Sequence, residues 1–154
     1  MNYTIEILRQ KNPDSAPYRQ TLSYTTDDKE MTVATLLKTL NAAPALTDIN
    51  GEPVRRIEWE CSCLQKKCGA CAMRINGKPR LACDTKLGEF KDGKVTLEPF
   101  KKFPVVADLI VDRSVMFRNL KNIGLWLEKE ARHPKKGEDV AYEASRCLQC
   151  GCCL

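Results

Sequence analysis

Residues 61–83 read CSCLQKKCGACAMRINGKPRLAC, and their reading decides the fold. Cys63, Cys68 and Cys71 stand as C-x4-C-x2-C, and Cys83 follows after eleven intervening residues. That is the plant-type [2Fe–2S] ligand spacing, with three thiolates on one loop and a fourth brought in from further along. Two irons close together need two thiolates each, so one loop must curl around them with its backbone N–H groups inward. Gly69 and Ala70 are small where the backbone must come nearest. Asn76-Gly77 is a strong signal for a type I′ turn. A hairpin of AMRIN (72–76) against PRLAC (79–83) therefore predicts how Cys83 folds back towards the other three.

Upstream, residues 2–9 (NYTIEILR) alternate polar and apolar, as a half-buried strand does. KNPDSAP is turn chemistry, and residues 18–26 predict a second strand paired with the first in a hairpin. Thr32 is an N-cap for VATLLKTLN, where Val33, Leu36, Leu37 and Leu40 line one helical face. Residues 42–56 predict an irregular connector, and Ile57 to Glu60 lead into the cysteine loop. KVTLEP (94–99) predicts a last strand. Residues 1–100 thus predict an α+β unit, a β-grasp sheet with one helix packed across it.

Composition changes after Pro99. Val106, Leu109, Ile110, Val115, Phe117 and Leu120 are spaced for an amphipathic helix or helix pair from about 106 to 130. HPKKG (133–137) predicts a turn and EDVAYEASR (138–146) a short helix. Residues 101–154 are expected to form a second, helical segment. It ends in CLQCGCCL, where Cys147, Cys150 and Cys153 stand as C-x2-C-x2-C, the first three ligands of a bacterial-type [4Fe–4S] run. Cys152, beside Cys153, is read as a packing residue. A cubane needs a fourth thiolate. It comes from sequence beyond Leu154 or from elsewhere, and the [4Fe–4S] expectation is conditional on it.

The nine cysteines are segregated, five in 61–83 and four in 147–153. Such clusters point to metal or redox sites over a disulfide framework in a reducing compartment. No apolar run approaches the ~20 residues of a membrane span, and the N-terminus lacks the pattern of a signal peptide. The net charge is +5, but aromatic residues make up only 6% and do not interleave with the basic ones, which disfavours nucleic acid. The single histidine, His133, excludes Rieske ligation. A zinc site would prefer two C-x2-4-C pairs, which the set at 63–83 does not offer. Cys61 is read as an extra packing or surface thiol, and Trp59 as core packing beside the loop.

With these motifs in hand, the chain resembles the iron–sulfur subunit of succinate dehydrogenase and fumarate reductase. The C-x4-C-x2-C-x11-C set ending in RLAC carries the resemblance, with the AM after Cys71, FPVVADLIVDRS (103–114) and the closing CLQCGCC. The resemblance implies an N-terminal [2Fe–2S] β-grasp domain, with Cys63, Cys68, Cys71 and Cys83 as ligands. It implies a helical domain after it, with Cys147, Cys150 and Cys153 as three ligands of a [4Fe–4S] cluster, and a chain that continues past residue 154. It implies no substrate chemistry of the chain's own, but electron relay between the FAD of a flavoprotein subunit and quinone at a membrane anchor. The expected location is cytoplasmic, held at the inner face of the membrane through partners. No nucleotide-binding glycine fingerprint is present, so the FAD belongs to a partner. The rival expectations are a free-standing [2Fe–2S] carrier and a zinc-stabilised interaction module. One departure stands out: where the family has Gly in C-R-E-G-x-C, this chain has Lys66. Lys66 and Lys67 are expected to favour the reduced cluster.

Overall fold

Residues 1–124 and 146–153 are described by the structure, a computed structural model. Strand β1 (Asn2–Arg9) turns Tyr3, Ile5, Ile7 and Arg9 to the buried side, so the alternation seen in the sequence is the alternation of the pleat. β2 (Tyr18–Thr25) pairs antiparallel with it from Asn2↔Thr25 to Arg9↔Tyr18, the hairpin expected. Helix α1 (Val33–Ala42) begins where Thr32 caps it, its Oγ1 accepting from Thr35 N–H at 3.2 Å. The helix buries Val33, Ala34, Leu36, Leu37 and Leu40. Each large aliphatic among them stabilises by about 1.5–3 kcal/mol relative to exposure. Together with Ile5, Ile7, Leu22, Met73, Ile75, Val95 and Leu97 from the strands they form the main core.

β3 (Ala72–Ile75) and β4 (Lys78–Leu81) form the second hairpin. Asn76 (φ 47°) and Gly77 (φ 75°) both take the positive φ that a type I′ turn demands. β5 (Lys94–Glu98) lies between the hairpins, parallel to β1 and antiparallel to β3. The result is a mixed five-stranded sheet in the order β2-β1-β5-β3-β4. The α+β class holds among the described residues.

The segment after residue 100 departs from expectation. It opens with a small hairpin, β6 (Val105–Ala107) and β7 (Ile110–Val111), rather than a helix. Helix α2 begins only at Ser114 and runs to Asn122. The apolar spacing from Val106 to Leu120 suggested a helical period. The β-branched pairs Val105-Val106 and Ile110-Val111 instead flank a turn at Asp108, whose backbone is left-handed (φ 45°). No residue of α2 is buried, and Phe117 is 61% exposed. The expected helical stretch 125–130, the turn at 133–137 and nearly all of the helix at 138–146 lie outside the described residues.

Candidate cluster-binding site

The cysteine loop has no regular secondary structure, so side chains must hold it. Asn41 clasps Ile57 from both sides, donating to its carbonyl and accepting from its N–H, each at 2.8 Å. The carboxylate of Asp108 accepts from Glu58 N–H at 2.9 Å, Gln10 N–H at 3.0 Å and Arg55 at 2.6 Å. Its other strong partner is Arg9, whose Nη2 lies 3.0 Å away with both side chains fully buried. Arg9 also donates to the carbonyls of Arg55 and Arg56, each at 2.9 Å. Thus the extended segment 55–58 enters the loop from a fixed position. Neither Arg9 nor Asp108 stood out as a site residue. The available signal was an arginine on the inward face of a strand, which demands a buried acid elsewhere.

Within the loop, Leu64 (φ 53°) and Lys66 (φ 61°) take left-handed conformations. These turns aim the N–H groups of Gln65 and Lys67 at the Cys63 sulfur, at 3.3 and 3.4 Å. Inward-turned amides of this kind form an anion-binding concavity. The two N–H bonds, with a third from the Cys68 side chain, hold Cys63 down to about 7. Lys66 occupies the position where the family has Gly, and its φ explains why Gly suits it. Its ammonium pairs with Asp84, next to Cys83, so that much of the charge expected to act on the site is already matched.

Cys71 sits at the foot of β3 and Cys83 two residues past β4. The hairpin brings Ala82 N–H to Cys71 O at 3.1 Å and Cys83 N–H to Cys71 Sγ at 3.4 Å. Both thiols are buried, and burial pushes Cys71 up to about 11. The hairpin thus sets Cys83 against Cys71, while the Cys68 side chain lies beside Cys63. Four thiols in C-x4-C-x2-C-x11-C order suit a binuclear group with two thiolates per iron; structural zinc sites prefer two closely spaced cysteine pairs. The donor set and the inward amides therefore fit a [2Fe–2S] cluster. All nine cysteines are unbridged.

The second cysteine loop abuts the first. Gly69 (φ 72°) lies so close that an added Cβ would stand 2.7 Å from Cys150 Cβ and 2.8 Å from Leu148 O. Its smallness serves the contact between the two loops, a role the sequence reading assigned to cluster approach alone. Gln149 N–H points at Cys147 Sγ at 3.5 Å, repeating the amide-to-sulfur bond of the first loop. Cys150 and Cys152 pack against an apolar cluster of Ala72, Phe100, Phe103 and Val111. Burial pushes the Cys152 thiol up to about 12. Cys61 is exposed and lines, with Trp59, Cys68, Val106, Arg113 and Phe117, an open cleft of about 870 Å³ beside the loop.

Comparison with known proteins agrees with this geometry. The family model for the 2Fe-2S iron-sulfur cluster binding domain matches residues 4–118. The chain is 37% identical to the succinate dehydrogenase iron-sulfur subunit of Bacillus subtilis, over 96% of this chain and 60% of that protein. It is 33% identical to the fumarate reductase iron-sulfur subunit of Wolinella succinogenes, over 64% of this chain and 45% of that one. The fold also matches a chain of the Mycobacterium smegmatis Sdh1 complex in the apo form, with TM-score 0.75 and 22% identity, covering 99% of this chain and 62% of that one. The chain spans about 60% or less of the length of these relatives. Among the described residues no helix is long and apolar enough to cross a membrane.

Proposed function

The chain belongs to the family of 2Fe-2S iron-sulfur cluster binding domains, and from that premise we propose that it is the electron-relay part of a succinate dehydrogenase or fumarate reductase iron–sulfur subunit. The amides of Gln65 and Lys67 turned onto the Cys63 sulfur, with the hairpin that sets Cys83 N–H on the Cys71 sulfur, carry this reading. The four thiolates of Cys63, Cys68, Cys71 and Cys83 would hold the cluster. When bound, the cluster supplies one-electron transfer, and the protein sets its potential and docking.

The residues divide that work. Cys71 and Cys83 anchor the site in the core, while Cys68 and its neighbours reach the surface where a partner docks. Gln65 and Lys67 N–H groups stabilise sulfur charge on that exposed side. Asn41 and Asp108 hold the approach to the loop. We read residues 1–100 as a β-grasp domain and 101–154 as the beginning of a helical [4Fe–4S] domain. Cys147, Cys150 and Cys153 are its candidate ligands, and a fourth thiolate must complete the set. The partners this reading calls for are an FAD-bearing flavoprotein and a quinone-side membrane anchor, with the chain held at the cytoplasmic face of the membrane through them.

Iron and acid-labile sulfide analysis of the anaerobically reconstituted chain, with low-temperature EPR after reduction, tests the proposal. About two irons and two sulfides per chain and a reduced-state signal are expected. A colourless, iron-free polypeptide would refute it. Co-purification with a flavoprotein separates a subunit from a free-standing carrier.

A further inference from the structure

Beside the first cysteine loop lies a cation. Arg113 follows β7, and its side chain is only 14% exposed. Its Nη2 donates to the carbonyl of Ala72, the residue after Cys71, at 3.1 Å. Its Nη1 pairs at 2.5 Å with Glu60, at the entry to the first loop. The guanidinium carbon lies 5.9 Å from the centroid of the Phe100 ring, and Phe100 and Cys152 share one apolar cluster. The Nε–H is buried and unpartnered among the described residues. A cation needed for solubility alone would not be sunk among apolar side chains with a donor unsatisfied.

We propose that Arg113 is a positioning residue for electron relay, one that braces the entry of the [2Fe–2S] loop against its exit and sets the potential of the site by its charge. The inference rests on the cluster reading above. A cluster held by four thiolates is anionic, and one added electron makes it more so. A nearby cation favours that reduced state, and a nearby anion disfavours it. Glu60 opposes Arg113, but at 43% side-chain exposure it is better screened by water than its partner. The cation therefore dominates, and removing either charge must move the midpoint in opposite directions. A merely structural staple would behave otherwise: losing either partner would loosen the same loop and leave no such opposition.

The test uses the full chain, loaded anaerobically with ferrous iron and sulfide. It is titrated with dithionite, which supplies the electron, with redox mediators present, while the visible spectrum is followed. No bond is made or broken in the step. Arg113→Gln is expected to lower the reduced-to-oxidised ratio threefold or more at the wild-type midpoint. Arg113→Lys should retain most of it, and Glu60→Gln should raise it. Midpoints that stay put, or that move the same way in Arg113→Gln and Glu60→Gln, overturn the inference. Should Arg113→Gln fail to load, Glu60→Gln decides: a rise supports the proposal and no rise overturns it. A wild-type chain that takes up no iron overturns the cluster reading and this inference with it, whereas a loaded chain with immobile midpoints overturns only this one.

Discussion

Replacing Asp108 by Asn should destabilise the protein out of proportion to the change of one atom. Asp108 and Arg9 are both fully buried, and their ion pair sits where β1, the segment entering the cysteine loop and the β6–β7 turn meet. Four donors converge on this carboxylate: Gln10 N–H, Glu58 N–H, Arg55 and Arg9. Asn suits the left-handed backbone (φ 45°) at this position, so backbone strain does not confuse the result. What the substitution removes is the charge, together with one oxygen. It leaves the buried Arg9 cation uncompensated, at a cost of about 3–5 kcal/mol. Against a total stability of about 5–15 kcal/mol, that is a large fraction. With a urea slope of about 2 kcal/mol/M, the unfolding midpoint of the apo chain followed by circular dichroism should fall by roughly 2 M. A double-mutant cycle sharpens the test. In Arg9→Met with Asp108→Asn no buried charge remains unpaired, so the double variant should cost less than the two singles together. A loss below about 1 kcal/mol for Asp108→Asn would refute the reasoning. So would strict additivity in the cycle.

Three further outcomes are expected. Lys66→Gly relieves a left-handed lysine and should stabilise the apo chain by about 0.5–1 kcal/mol in the same urea assay, since the exposed pair with Asp84 contributes little. Because Asp84 already matches the Lys66 charge, the redox midpoint of the loaded protein should move less in Lys66→Gln than in Lys67→Gln. Gly69→Ala drives a methyl into Cys150 and Leu148, so it should destabilise by about 1–3 kcal/mol and raise the alkylation rate of Cys150 as the loops part. Glu89 is held below the usual carboxylate range by Lys86 N–H at 3.0 Å and by Arg80 at 2.5 Å. Its contribution is present above the unfolded-state value and is lost as pH falls through the lower folded one. Glu89→Gln should therefore flatten the acid limb of the stability profile, and an unchanged limb would count against that bond.

Much of the site was legible because its signals are local. A cysteine spacing, an Asn-Gly turn and a Thr cap each act over a few residues, and the turn and the cap appear where expected. The hairpin that returns Cys83 beside Cys71 needed nothing beyond its own sequence. The segment after Pro99 was misread because a helical spacing of apolar residues is also compatible with a short hairpin and a following helix. What tips the choice at 105–111 is Asp108, and its partners lie far away in the chain at Arg9, Gln10, Arg55 and Glu58.

By itself, then, the amino-acid order determined the strands and helix of the sheet domain and the class of cofactor, and it pointed to the candidate ligands. These rest on backbone geometry and on how sulfur binds iron, both short-range. Only the tertiary structure decided that Cys83 lies against Cys71, that Gly69 is small to admit the second loop, and that Asp108 holds the segment entering the first. Those follow from contacts between residues distant in the chain, where burial turns an ordinary charged side chain into one that must find a partner.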